Sequence, residues 1–72
     1  MADDKVSLQK TAKRLRAVRR ERHMTQVEVA KKAGISETYY AQIERAEKNP
    51  TTTVILSIID ALGVTSADIF GK

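Results

Sequence analysis

The sequence predicts an all-α fold, a compact five-helix bundle, on three observations. The composition is that of a helix-rich globular chain, apolar residues recur at three- and four-residue spacing, and capping residues punctuate the chain at short intervals. At 72 residues there is material for one small domain with one core. The balance of 42% apolar and 31% charged residues, with three Gly and one Pro, places the chain among packed rather than disordered sequences.

Residues 1–7 read as an N-terminal tail and residues 8–72 as the domain. Helix 1 spans about residues 8–22, where Leu8, Ala12, Leu15, Val18 and Arg19 fall on one face. Lys10, Lys13, Arg14, Arg16 and Arg20 point elsewhere and form a cationic outer side, whose default reading is a solvated face. Arg19 is the anomaly, because its spacing carries a cation into an apolar stripe. Thr25 with Glu28 forms the S/T-x-x-E capping box that opens helix 2, which runs to about Ala33. Gly34 suits the left-handed residue that ends a helix, and Ser36 caps the next one. So short a connection sends helix 3 off at a steep angle, which is the helix-turn-helix arrangement.

Helix 3 covers about residues 37–45. Its projection sets Ser36, Tyr40, Ile43 and Glu44 on one side and Thr38, Ala41, Gln42 and Arg45 on the other. Pro50 closes the polar loop that follows. Thr51 to Thr53 offer caps for helix 4, whose Ile55, Ile58, Ile59 and Leu62 make an apolar stripe ended by Gly63. Thr65 to Asp68 resemble a second capping box, opening a last turn with Ile69 and Phe70.

Charge is distributed unevenly. Residues 1–22 hold eight Lys and Arg against three Asp and Glu, whereas residues 23–72 hold five against six, so the whole excess lies in the first third. A basic surface attracts nucleic-acid phosphates or anionic membranes without choosing between them. The absence of cysteine removes disulfides, thiolate metal sites and cysteine catalysis, and makes a reducing compartment the natural setting. No targeting or membrane-spanning segment is visible, since the longest apolar stretch, Val54 to Ile59, is interrupted by Ser57. The expected location is therefore the cytoplasm. No His-assisted nucleophile, clustered carboxylates or Gly-rich phosphate loop supports an enzyme, and His23, alone between helices 1 and 2, reads as a surface residue. No cofactor or metal is expected.

The run Thr25-Gln26-x-x-x-Ala30-x-x-x-Gly34-Ile35-Ser36, followed by Tyr39, Ile43-Glu44-Arg45, Asn49-Pro50 and Leu62-Gly63-Val64, resembles the Xre family of Cro/repressor-type helix-turn-helix proteins. The likeness covers about residues 8–70. Within that family, Thr38-Tyr39 followed by Ile43-Glu44-Arg45 is similar to the controller proteins of restriction-modification systems. The resemblance implies a lambda-repressor-like DNA-binding fold and an operator-binding transcriptional regulator. It implies base reading by Glu37, Thr38 and Gln42. Short polar groups on an exposed helix are also what a major groove about 12 Å wide requires: Gln42 can pair with adenine, Thr38 can touch a thymine methyl, and Glu37 can accept from cytosine. Glu37 departs from the Arg common in controller-like relatives, which bears on the operator sequence rather than on docking.

Thr25, Gln26, Ser36, Tyr39, Arg45, Lys48 and Asn49 are the candidate contacts to the DNA backbone, because helix N-termini and loop cations grip phosphates. The resemblance also implies a structural bridge between Arg19 and Glu44. Relatives that the chain resembles dimerise through helices 4 and 5, so Leu56, Val64, Ile69 and Phe70 are the candidate surface of a homodimer on a palindromic operator. No small-molecule effector and no membrane partner are expected. The rival reading is an antitoxin-like adaptor that holds a protein partner on its C-terminal apolar surface. A third reading, helix 1 as a membrane or calmodulin-type ligand, conflicts with the need for its apolar face in the core.

Overall fold

A computed structural model describes residues 4–71. Five helices follow in order: α1 (Asp4–Glu21), α2 (Gln26–Ala33), α3 (Glu37–Glu44), α4 (Thr52–Leu62) and α5 (Ser66–Phe70). The fold class is all-α as expected, with no strand among the described residues. Two boundaries differ from the sequence expectation. Helix α1 begins at Asp4, so residues 4–7 belong to the helix rather than to a tail, while residues 1–3 lie outside the described residues. The apolar stripe could not mark that start because it begins only at Leu8. Helix α3 stops at Glu44, with Arg45 as its cap.

The caps are where the sequence placed them. Thr25 and Glu28 exchange side-chain and backbone hydrogen bonds of 3.1 and 2.8 Å, and Thr65 and Asp68 repeat the box on α5. Ser36 and Thr51 each accept the N–H three residues on, at 3.0 and 3.2 Å. The C-termini share a form that the sequence disclosed only in part. Gly34 and Gly63 take left-handed φ of 77° and 73°, and the next residue's N–H returns to the carbonyl five back. His23 and Ala46 occupy the same position with φ of 57° and 61°. In the second of these, the Glu47 N–H reaches the Gln42 carbonyl at 2.8 Å, which turns the chain sharply off the end of α3.

Ala46 thus holds a conformation that glycine adopts without steric penalty. Ala46→Gly should raise stability by about 0.5 kcal/mol, because relief of the left-handed strain slightly exceeds the added freedom of the unfolded chain. A thermal melt should show a rise of roughly 2–4 °C.

Helix α2 packs on α3 and α4, and α1 packs on α3 and α5. Leu15 and Val18 of α1, Val29 and Ala30 of α2, Tyr40 and Ile43 of α3, the α4 stripe, and Ile69 form one buried cluster. The two crossings of α3 fix its inner face completely, leaving its opposite side outside the core. Arg14 adds a tie of its own, donating from Nε to the Asp68 carbonyl at 2.6 Å, so this cation of α1 anchors α5 as well as facing solvent.

Candidate nucleic-acid interface

The outer face of α3 is built by exclusion. Tyr40, Ile43 and Glu44 are buried against the core, which turns Glu37, Thr38 and Arg45 into solvent and leaves Ala41 and Gln42 half-exposed beside them. The three candidate base readers therefore lie on one side of an eight-residue helix with Tyr39 half-buried at its flank. Ser36 at the head of that helix is exposed, and its Oγ accepts the Tyr39 N–H.

At the start of α2, the capping box uses both the Thr25 hydroxyl as acceptor and the Thr25 N–H as donor. The anion-facing donors there are consequently the free N–H groups of the first helical turn, those of Gln26 and Val27. Val27 is 49% exposed, an apolar residue beside this terminus that the sequence patterning did not single out. Its position two residues before Val29, on the opposite side of α2, was the available signal.

Beneath this surface lies a charged cluster. Arg19 reaches Glu44 through both forks of its guanidinium, Nε to Oε2 at 2.6 Å and Nη2 to Oε1 at 3.1 Å. The Gln26 amide donates to the same Oε1 at 3.0 Å, and Arg19 Nη1 donates to the Met24 carbonyl at 2.9 Å. The side chains are 11% and 1% exposed for Arg19 and Glu44, so water contributes little to their solvation. Burial pushes the Glu44 carboxyl up, but the hydrogen bonds from Arg19 and Gln26 pull it further the other way, and the net shift is below its ordinary value. Glu44 in turn holds the Arg19 guanidinium above its ordinary value against the opposing effect of burial. The Tyr40 hydroxyl is buried next to this pair without a hydrogen bond of its own, and burial pushes its pKa far above the ordinary value, keeping it protonated. One carboxylate thus joins α1, the start of α2 and α3, the three pieces whose mutual angle presents the outer face of α3. Gln26 contributes its side chain to that joint, so its backbone N–H is the part left for a phosphate.

Lys48 and Asn49 are exposed on the loop after α3. Arg45 is exposed too, and it pairs with Glu47 through two hydrogen bonds of 2.9 and 3.1 Å. Sequence reading missed this pair because two residues in a helix point apart, and only the left-handed turn at Ala46 brings them together. A phosphate would compete with Glu47 for the Arg45 guanidinium.

A helix-turn-helix family model (HTH_3) matches residues 15–69. The chain belongs to the Xre-type helix-turn-helix family. It is 41% identical over 59 residues to the immunity repressor protein of Bacillus phage phi105, covering 82% of this chain and 41% of the repressor. The chain therefore spans less than half the length of that relative. Similarity to the helix-turn-helix-type transcriptional regulator y4dJ of Sinorhizobium fredii is 36% over 52 residues, covering 72% of this chain and 68% of the regulator. In three dimensions the fold is similar to the restriction-modification controller protein C.AhdI of Aeromonas hydrophila, with a TM-score of 0.86 at 28% identity, covering 90% of this chain and 98% of the controller. These relatives are repressors and regulators by name, not enzymes.

The four candidate interface residues separate into two kinds. Ile69 is 5% exposed and belongs to the core of its own domain, which corrects its assignment to an intermolecular surface. Its neighbour in sequence hid this: on so short a helix as α5 only one of Ile69 and Phe70 can face inward. Val64 is half-buried against the core. Leu56 and Phe70 remain, 51% and 52% exposed. Phe70 lines a groove with Leu8, Pro50, Thr52 and Ile55, and Leu56 stands next to Ile55 and one turn beyond Thr52.

Proposed function

We propose that this chain is a sequence-specific DNA-binding transcriptional regulator that lays α3 in the major groove of a palindromic operator as a homodimer. One observation carries the reading. The exposed face of α3 bears short polar groups, and the helix is held from behind by a buried, multiply hydrogen-bonded Arg19–Glu44 pair that also ties down the start of α2. Base readers need that rigidity, because hydrogen bonds to base edges discriminate only when their donors and acceptors are fixed in place. Glu37, Thr38 and Gln42 read bases. The α2 N-terminus at Thr25 and Gln26, together with Ser36, Tyr39, Arg45, Lys48 and Asn49, holds the backbone on either side. The relationship to restriction-modification controllers and to a phage repressor favours a regulator of this kind.

Selection of bound sites from random duplex DNA tests the reading. A recovered motif with two inverted half-sites is the expected result, and equal recovery of all sequences overturns sequence specificity.

The dimer uses Leu56 and Phe70. A domain measuring 33 × 25 × 20 Å, set beside its symmetry mate, is on the scale that places two recognition helices about 34 Å apart, one turn of B-DNA. Leu56→Asp and Phe70→Asp should each shift sedimentation at micromolar concentration from dimer to monomer, with the melting of the isolated domain little changed because both side chains are exposed. A monomeric wild-type chain would overturn the assembly.

A further inference from the structure

The cationic face of α1, by default a solvated one, lines in part a cleft against the recognition helix. Gln9, Lys13 and Arg16 of α1 face Arg45 and Ala46 at the end of α3 across this depression, with Glu44 at its floor. Gln9, Lys13 and Arg16 share one side of α1, at spacings of four and three residues. Lys13 is exposed and Arg16 is half-buried, and both line the cleft. We propose that this cleft binds a backbone phosphate of double-stranded DNA, held by Lys13 and Arg16 together with Arg45. The proposal rests on the DNA-binding reading and extends it to α1.

Charge and shape both support the assignment. Glu44 is the carboxylate nearest the floor, and its charge is already engaged by Arg19 and Gln26. Glu47 pairs with Arg45 at the surface, where both side chains are about half exposed, so a phosphate reaches the Arg45 guanidinium by displacing a weakly held carboxylate into solvent. Lys13 and Arg16 are left without a hydrogen bond or ion pair among the described contacts, side by side in a concave setting that focuses their field. Guanidinium groups match phosphate oxygens with paired donors, which suits Arg16 and Arg45 on two sides of one anion.

The position follows from lengths. Helix α3 has eight residues, so it is about 12 Å long, comparable with the width of the major groove. With the first turns of α3 over the bases, its C-terminal end stands at the groove wall. The cleft at that end then meets the phosphates of that wall, adjacent to those reached by Lys48 and Asn49.

The test is the salt dependence of affinity for the selected operator. Lys13→Ala and Arg16→Ala should each reduce the slope of log K against log salt, and the double variant should reduce it by about 0.9 for each half-site, while discrimination between operator and mutated sites stays as in wild type. Lys32→Ala is the control: it removes the same charge from a groove lined by Arg22 and Asp60 and should leave the slope unchanged. Circular dichroism melts establish that each variant is folded, and Arg16→Gln keeps a long neutral side chain should Arg16→Ala lose stability. A scan of single neutral methylphosphonates along the operator gives the position. One position in each half-site should weaken wild type when substituted, while adding no further loss in the Lys13→Ala, Arg16→Ala double variant. Wild-type slopes in both single variants, or losses matched by Lys32→Ala, would overturn the cleft and leave the α3 reading intact. Failure of the wild-type chain to bind any duplex would overturn both.

Discussion

Glu44→Ala should lower stability by about 3 kcal/mol, seen as a fall in melting temperature of roughly 12–24 °C for a domain of this size. The alanine removes an acceptor shared by Arg19 and Gln26 and leaves a guanidinium whose side chain is only 11% exposed without a counterion. The desolvation of that stranded cation, more than the lost attraction, sets the size of the effect. Arg19→Met in the Glu44→Leu background should recover much of the loss, because an apolar pair of similar bulk has no charge to strand. The acid side supplies an independent check. The folded-state Glu44 titrates below its ordinary value, so its contribution is fully present above that value and is lost as pH falls through the depressed one. The stability gap between wild type and Glu44→Gln should therefore narrow in that acid range. An unchanged melt for Glu44→Ala would remove the pair from any structural role.

Gln42→Ala and Thr38→Ala should each cost about 1–3 kcal/mol of discrimination at one base pair of each half-site, the value of a well-made base contact. Both side chains lie on the open face of α3, away from Tyr40, Ile43 and Glu44, so the variants should melt close to wild type. Repeating the site selection with each variant reads the effect directly: the motif should relax at one symmetric pair of positions and persist elsewhere. Uniform weakening across all sequences would mean that the residue contacts the backbone instead. A motif unchanged for both variants would take base reading off this face of α3.

The contrast between these two predictions reflects what each residue's sequence context revealed. The outward placement of Gln42 and Thr38 was legible from a helical projection, and the resemblance to Xre proteins supplied the role expected of them. Arg19 was legible as an anomaly, a cation in an apolar stripe, and its geometry adds what spacing lacks: both guanidinium forks engaged and Gln26 drawn into the same acceptor. The pairing of Arg45 with Glu47 was not legible, since it depends on a left-handed Ala46, and alanine carries no signal for that conformation as Gly34 and Gly63 do. Ile69 was misplaced for a related reason. A five-residue helix is too short for periodicity to say which of two adjacent apolar residues faces the core.

By itself the sequence determined the number and order of helices, both capping boxes, the turn at Gly34 and the outward set of Glu37, Thr38 and Gln42. These are local properties, fixed by neighbours within about four residues, and a helix repeats itself on that scale. The tertiary structure decided which face of α1 borders α3, which of the terminal apolar residues stays exposed, and where Lys13 and Arg16 meet Arg45. Those outcomes depend on the angles at which helices cross, and the angles follow from how the side chains of the whole core interlock rather than from any one segment.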